Sequence, residues 1–172
     1  MELLNKIDFV GLGNLIVVGC DGVGKTTLCK RLADEGKFEY RKASVADGAD
    51  KIDLAKTEIL RPHKKPVIFD RFYFPDDLIY SRIIDLHSND LELEQWEEII
   101  ELINEGLFTV VYITDSYDNI KARFEARGDE YVNLEQVKKV IELYEKTIDQ
   151  IKNKVDVFHV DLENNTYGYL KN

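Results

Sequence analysis

Four apolar residues, Leu15-Ile16-Val17-Val18, run straight into Gly19-Cys20-Asp21-Gly22-Val23-Gly24-Lys25-Thr26-Thr27, and no other stretch restricts the folding of the chain so sharply. The apolar run is short and β-branched, as a buried strand is, while Leu28, Leu32 and Ala33 beyond it recur at helical spacing. Two glycines five positions apart, then lysine and a hydroxyl residue, between a strand and a helix, form the pattern that cradles phosphates. Glycine lets the backbone turn its N–H groups onto an anion, and the helix start adds unpaired N–H groups and a positive dipole end. On this reading Gly19, Asp21, Gly22, Val23, Gly24, Lys25, Thr26 and Thr27 bind a nucleoside triphosphate. Lys25 reaches its β and γ phosphates, and the Thr26 hydroxyl ligates Mg²⁺. The plainer alternative is a glycine-rich turn before an ordinary helix, but the bare pattern arises by chance in only roughly one chain of this size in a hundred.

The rest of the chain fits a single domain over residues 1–172. Strands are expected at 14–19, 66–70, 108–114 and 155–160, with a weaker one at 38–44. Helices are expected at 25–35, 53–60, 78–86 and 91–103, then from Asp115 or Ser116 to about Arg127, and from an Asn133 cap onward. Trp96, Ile99, Ile100 and Ile103 mark one core face; Leu134, Val137, Val140, Ile141, Tyr144, Ile148 and Ile151 mark another. Gly36 and Gly106 are placed to end helices, residues 1–13 read as a weakly helical or irregular lead-in, and the residues after Val160 read as a polar tail. Alternating strands and helices predict an α/β, three-layer P-loop NTPase fold, with a parallel sheet of four or five strands and helices on both faces.

Composition narrows the partners. With 33 acidic residues against 23 basic ones the formal charge is −10, so extensive nucleic-acid binding is not expected, although a small basic site remains compatible. Two cysteines, Cys20 and Cys29, offer no metal-ligand spacing and read as free thiols in a reducing compartment, and His63, His87 and His159 show no ligand spacing either. Without a long apolar run, neither a membrane span nor a secretory leader is expected, and the cytoplasm is the default location.

In an open parallel sheet, ligands meet the carboxyl ends of the strands. The strand expected at 66–70 delivers Asp70 and Arg71 there, facing the same crevice as the glycine loop. Asp70 is a candidate for contacting substrate or a Mg²⁺-bound water, the alternative being a strand-end cap. Arg71 suits an acceptor phosphate, since a planar guanidinium binds phosphate in a bidentate manner. Asp21 is either a turn carboxylate bonding its own backbone or a substrate ligand. Arg123 and Arg127, four apart on one helix, can point together into a site that closes through a hinge at Gly128, although exposed helical arginines are more often solvated. Phe72 and Tyr73 can stack on a base or pack in the core.

With these residues in view, the chain resembles the thymidylate kinase group of P-loop nucleoside and nucleotide kinases. Asp21 stands where that group often carries an acidic residue near the acceptor's sugar hydroxyl, Asp70-Arg71-Phe72 looks like its aspartate-arginine-aromatic motif, and Arg123 to Tyr131 looks like its arginine-bearing lid, here about residues 123–133. The arginine-glutamate-proline segment common in thymidylate kinases is absent, and Phe38-Glu39-Tyr40-Arg41 stands nearby. The resemblance implies ATP- and Mg²⁺-dependent transfer to a deoxynucleoside monophosphate, with Lys25, Asp70, Arg71, Arg123 and Arg127 as catalytic residues, Asp21, Asp70, Arg71 and Phe72 contacting the acceptor, and Thr26 and Asp70 serving the metal. A nucleoside acceptor, a nucleotide within DNA, and a non-enzymatic nucleotide switch stay open, as does a homodimer.

Overall fold

β1 (Asn14–Val18) is the middle of the sheet because each of Leu15, Ile16, Val17 and Val18 is fully buried. Side chains of successive strand residues point to opposite faces, so such a run requires cover on both. The computed structural model describes residues 2–43, 50–80, 93–127 and 134–170. It shows a single sheet in the order β2-β3-β1-β4-β5-β6, formed by β1 with β2 (Glu39–Arg41), β3 (Val67–Asp70), β4 (Phe108–Thr114), β5 (Val157–Asp161) and β6 (Thr166–Tyr169). β1 to β5 pair in parallel, and β6 returns antiparallel to β5. The α/β three-layer expectation therefore holds, with six strands in place of four or five.

β6 was expected to be tail. It escapes a pattern reading because Thr166-Tyr167-Gly168-Tyr169 is a short edge strand whose tyrosines stay about half exposed, leaving little apolar alternation to see. The turn into it is built from Asn164, whose backbone N–H and side-chain amide both donate to Asp161, and from Asn165 in a left-handed conformation.

Six helices accompany the sheet among the described residues. α1 (Lys25–Asp34) packs on β1, β2 and β3, and Gly36 in a left-handed conformation ends it, with the Lys37 N–H returning to the Leu32 carbonyl. α2 (Lys51–Leu60) starts two residues before the expected 53, because Asp50 accepts from the N–H groups of Ile52 and Asp53. α3 (Tyr73–Tyr80) starts well before the expected 78 and is interrupted at Phe74, whose backbone is extended; residues 81–86 of that expectation lie outside the described residues. Leu93–Trp96 form a single turn of 3₁₀ helix, burying Trp96 completely, and α4 (Glu97–Glu105) follows. α5 (Tyr117–Arg127) and α6 (Leu134–Ile151) pack on each other, and α6 buries Val137, Val140, Tyr144, Ile148 and Ile151. The lead-in takes the weakly helical form: two short 3₁₀ turns carry Leu3, Leu4 and Phe9 into the core. The hinge at Gly128 and the cap at Asn133 lie outside the described residues.

Register places the site. Val17 is level with Asp70 on one side, and Val18 is level with Tyr112 on the other. The ends of β1, β3 and β4 thus open together, and the strand order diverges there, which is where a doubly wound sheet leaves a crevice.

Candidate active site

The loop from Gly19 to Gly24 joins β1 to α1, and two of its glycines are required by geometry. Gly19 has φ of 143°, and a Cβ there would stand 2.3 Å from the Ile113 carbonyl oxygen of β4. Gly24, with φ of 96°, turns the chain into α1 with open space around it, so the constraint there is conformational. Val23 is buried and pins the loop, while Thr26 and Thr27 are exposed in the first turn, where helix N–H groups have no intrahelical partner.

Lys25 is only 5% exposed and bends back over the loop, donating to the carbonyls of Gly19 at 2.5 Å and Cys20 at 2.9 Å, with Asp21 Oδ1 at 3.5 Å. The same Asp21 oxygen accepts from Arg71 Nη2. Lys25, Asp21 and Arg71 therefore form a row of alternating charge across the mouth of the loop. Arg71 enters it through a left-handed backbone, φ 72°, a conformation that costs a non-glycine residue about 1–3 kcal/mol and is retained where the surroundings impose it.

Asp70 is completely buried. Tyr40 of β2 donates to its Oδ2 at 2.8 Å, and its Oδ1 has no hydrogen-bond partner among the described residues. Phe72 corrects the sequence reading. Its ring is 1% exposed and packs against Phe69 at 4.7 Å and Tyr73 at 5.5 Å, so it belongs to the core and offers no stacking face. The two helical arginines are held differently. Arg123 leans on the loop, donating to the Gly22 carbonyl at 3.0 Å and to Asp115 at 2.5 Å, whereas Arg127 is exposed one turn later. The structure thus brings Lys25, Asp21, Arg71 and Arg123 together around the loop.

Sequence reasoning missed several groups. Asp115, expected only as a helix cap, has a side chain 1% exposed beneath Arg123, and Ser116 takes the cap by accepting from the Asn119 N–H. Asp76 and Asp77 open α3 proper, directly after a proline within an aromatic stretch, and that pairing of carboxylates with apolar neighbours was the available signal. Asp77 pairs with Lys51 at 2.5 Å. Asp76 is 8% exposed; its Oδ1 accepts from the Tyr144 hydroxyl at 2.7 Å, and its Oδ2 is buried without a partner among the described residues.

Burial pushes the Asp76 carboxyl up to about 6, against the opposing pull of Lys25, the Tyr144 hydrogen bond and Arg71. A carboxyl whose folded pKa exceeds its unfolded one destabilises the fold once pH rises through that interval, so the cost is complete above about pH 6 and absent below about pH 4. Asp76→Asn, which can still accept from Tyr144, is expected to raise the unfolding free energy at pH 7.5 by on the order of 1–3 kcal/mol. Denaturant melts should show this gain fading as pH falls toward 4; a gain independent of pH would contradict the account. The two thiols are free and buried, and burial raises Cys20 to about 12, leaving it unreactive at neutral pH.

No protein-family model matches the chain. It is similar to the SPbeta prophage-derived uncharacterized protein YorR of Bacillus subtilis strain 168, 29% identical over 142 residues that span 78% of this chain and 81% of YorR. The crystal structure of YorR in complex with phosphorylated GDP superposes with a TM-score of 0.71 at 24% identity, covering 86% of this chain and 84% of that one. Deoxyadenosine kinase from M. mycoides with bound dCTP matches at a TM-score of 0.55 and 20% identity, over 86% of this chain and 89% of the kinase. Polyphosphate kinase 2 from Arthrobacter aurescens TC1 matches at 0.61 and 19% identity, over 92% of this chain and 66% of that one. The fold of this chain is accordingly the mixed α/β P-loop fold shared by YorR and these two kinases.

Proposed function

We propose that the protein is an ATP- and Mg²⁺-dependent kinase that phosphorylates a deoxynucleoside monophosphate. The observation that carries this reading is the row Lys25, Asp21, Arg71: two cations that share one carboxylate at the mouth of a phosphate loop. Transfer between phosphates brings several negative charges together, and the protein must supply the compensating positive ones. Lys25, the loop N–H groups and the start of α1 hold the triphosphate. Arg71, with a side chain 42% exposed, can exchange Asp21 for the acceptor's phosphate, freeing Asp21 to accept from a sugar hydroxyl. An acceptor phosphate oxygen attacks the γ phosphorus, the bond to the β–γ bridging oxygen breaks, and ADP leaves. Arg123, already bonded to the Gly22 carbonyl, holds the loop in shape during this exchange.

The residues present fit a hydrated Mg²⁺: Asp70 presents a buried carboxylate oxygen without a partner among the described residues at the end of β3, and Thr26 a hydroxyl at the start of α1. When bound there, the ion neutralises charge on the β and γ phosphates. Tyr40 donates to the other Asp70 oxygen, which holds the carboxylate in a single orientation.

A specific observation also favours a second reading. A nucleoside hydroxyl needs a base to take its proton, and Asp70 Oδ1 is a buried acceptor without a partner among the described residues. The similar fold of deoxyadenosine kinase from M. mycoides supports the same reading. A steady-state panel of nucleosides and monophosphates with ATP, following ADP and product at substoichiometric protein, separates the two. Multiple turnovers with a monophosphate are expected; turnover with nucleosides alone establishes the second reading, and no product from any acceptor contradicts both.

A further inference from the structure

We infer that Asp76 is the residue that reads the acceptor's base, and that the base it selects is guanine. The inference rests on the kinase reading only for which substrate sits there. Asp76 lies on α3, five positions beyond Arg71, and α3 packs on α6. It therefore stands between the Arg71 end of the site, which the kinase reading gives to the acceptor, and Tyr144 of α6. Tyr144 of α6 fixes its Oδ1, while Oδ2 is buried and unpartnered among the described residues. Tyr80 stands edge-on to Tyr144, ring centroids 6.2 Å apart, and Tyr144 stacks on Tyr112 at 6.0 Å, so the tyrosine that holds the carboxylate is itself set between aromatic rings.

A carboxylate has about four lone-pair positions and Tyr144 fills one, so the group that completes this site must bring hydrogen-bond donors. A phosphate brings none and is repelled. Guanine presents two adjacent donors, its N1–H and 2-amino group, at the spacing of the two carboxylate oxygens. Thymine flanks its single N–H with carbonyls that would face the anion, while adenine and cytosine set a ring acceptor beside their amino group. A polar site of this kind discriminates strongly, because the wrong base leaves the buried carboxylate unpaired.

The test measures turnover and, separately, calorimetric binding beside a non-hydrolysable ATP analogue, for monophosphates of guanine, hypoxanthine, xanthine, adenine, cytosine and thymine. The wild-type protein is expected to favour guanine over hypoxanthine, which lacks the 2-amino group, by at least about tenfold. Asp76→Asn should lower guanine use by about 10²-fold and raise xanthine above it, since the amide can donate to the xanthine 2-carbonyl while accepting from N1–H. A role confined to folding would not produce that exchange of preference. Equal use of guanine and hypoxanthine by the wild type overturns the inference whether or not the variant folds. So does an unchanged base ranking in Asp76→Asn, or a change confined to ribose against deoxyribose. A base ranking in binding without any transfer would uphold Asp76 and sink the kinase reading; transfer without base preference would do the reverse.

Discussion

Lys25→Ala is expected to remain folded and to lose at least about 10³-fold in kcat/KM for ATP, the largest effect of any single change considered. Its ammonium is buried at the loop, and in the proposed transfer it would meet the charge that builds on the γ phosphate. The substitution leaves the Gly19 and Cys20 carbonyls without that donor, so a stability loss of about 1–3 kcal/mol accompanies it. A coupled ADP assay beside circular-dichroism melts checks both. Activity within tenfold of wild type would show that the loop holds no triphosphate during turnover.

The second large effect is at Arg71. Arg71→Ala should lower kcat/KM for a monophosphate by about 10²–10³-fold, mainly through a raised KM for the acceptor, while the KM for ATP moves little. Arg71 also carries left-handed backbone strain, so a loss of activity alone could be blamed on the backbone. Arg71→Gly separates the two causes, because glycine accepts φ near 72° without cost. It should be at least as stable as the alanine variant, which bears the left-handed strain, and just as inactive. Equal activity toward nucleosides and monophosphates in the wild type, unaffected by either change, would remove Arg71 from the acceptor site.

The contrast between these two residues and Asp76 shows what a sequence can reveal. Gly19 to Thr27 and Asp70-Arg71 are legible because their geometry is local: a strand end followed by a turn determines where the side chains go, and β1 and β3 sit side by side. Tyr40 on Asp70, Tyr144 on Asp76 and Arg123 on the Gly22 carbonyl join positions 30, 68 and 101 residues apart, and no periodicity within one segment announces them. Phe72 misled for a related reason. An aromatic residue beside a candidate phosphate-binding arginine looks like a base platform, but Phe69 and Tyr73 enclose it in the core. Arg123 and Arg127 share a spacing that implies one direction, yet Asp115 beneath the first draws it onto the loop and leaves the second exposed. Local chemistry points to the loop proposed as the donor's cradle; the groups proposed to define the acceptor come from α3 and α6 and depend on how those helices pack.

The central claim is that two anionic substrates share one cleft, neutralised on one side by Lys25 and on the other by Arg71. Binding of a bisubstrate analogue, two nucleosides joined end to end by a polyphosphate bridge, tests it most directly by calorimetry. The account predicts that the analogue binds at least about 10²-fold more tightly than ATP and that Lys25→Ala and Arg71→Ala each remove most of that gain. An analogue that binds no better than ATP, or whose affinity ignores Arg71, would contradict it.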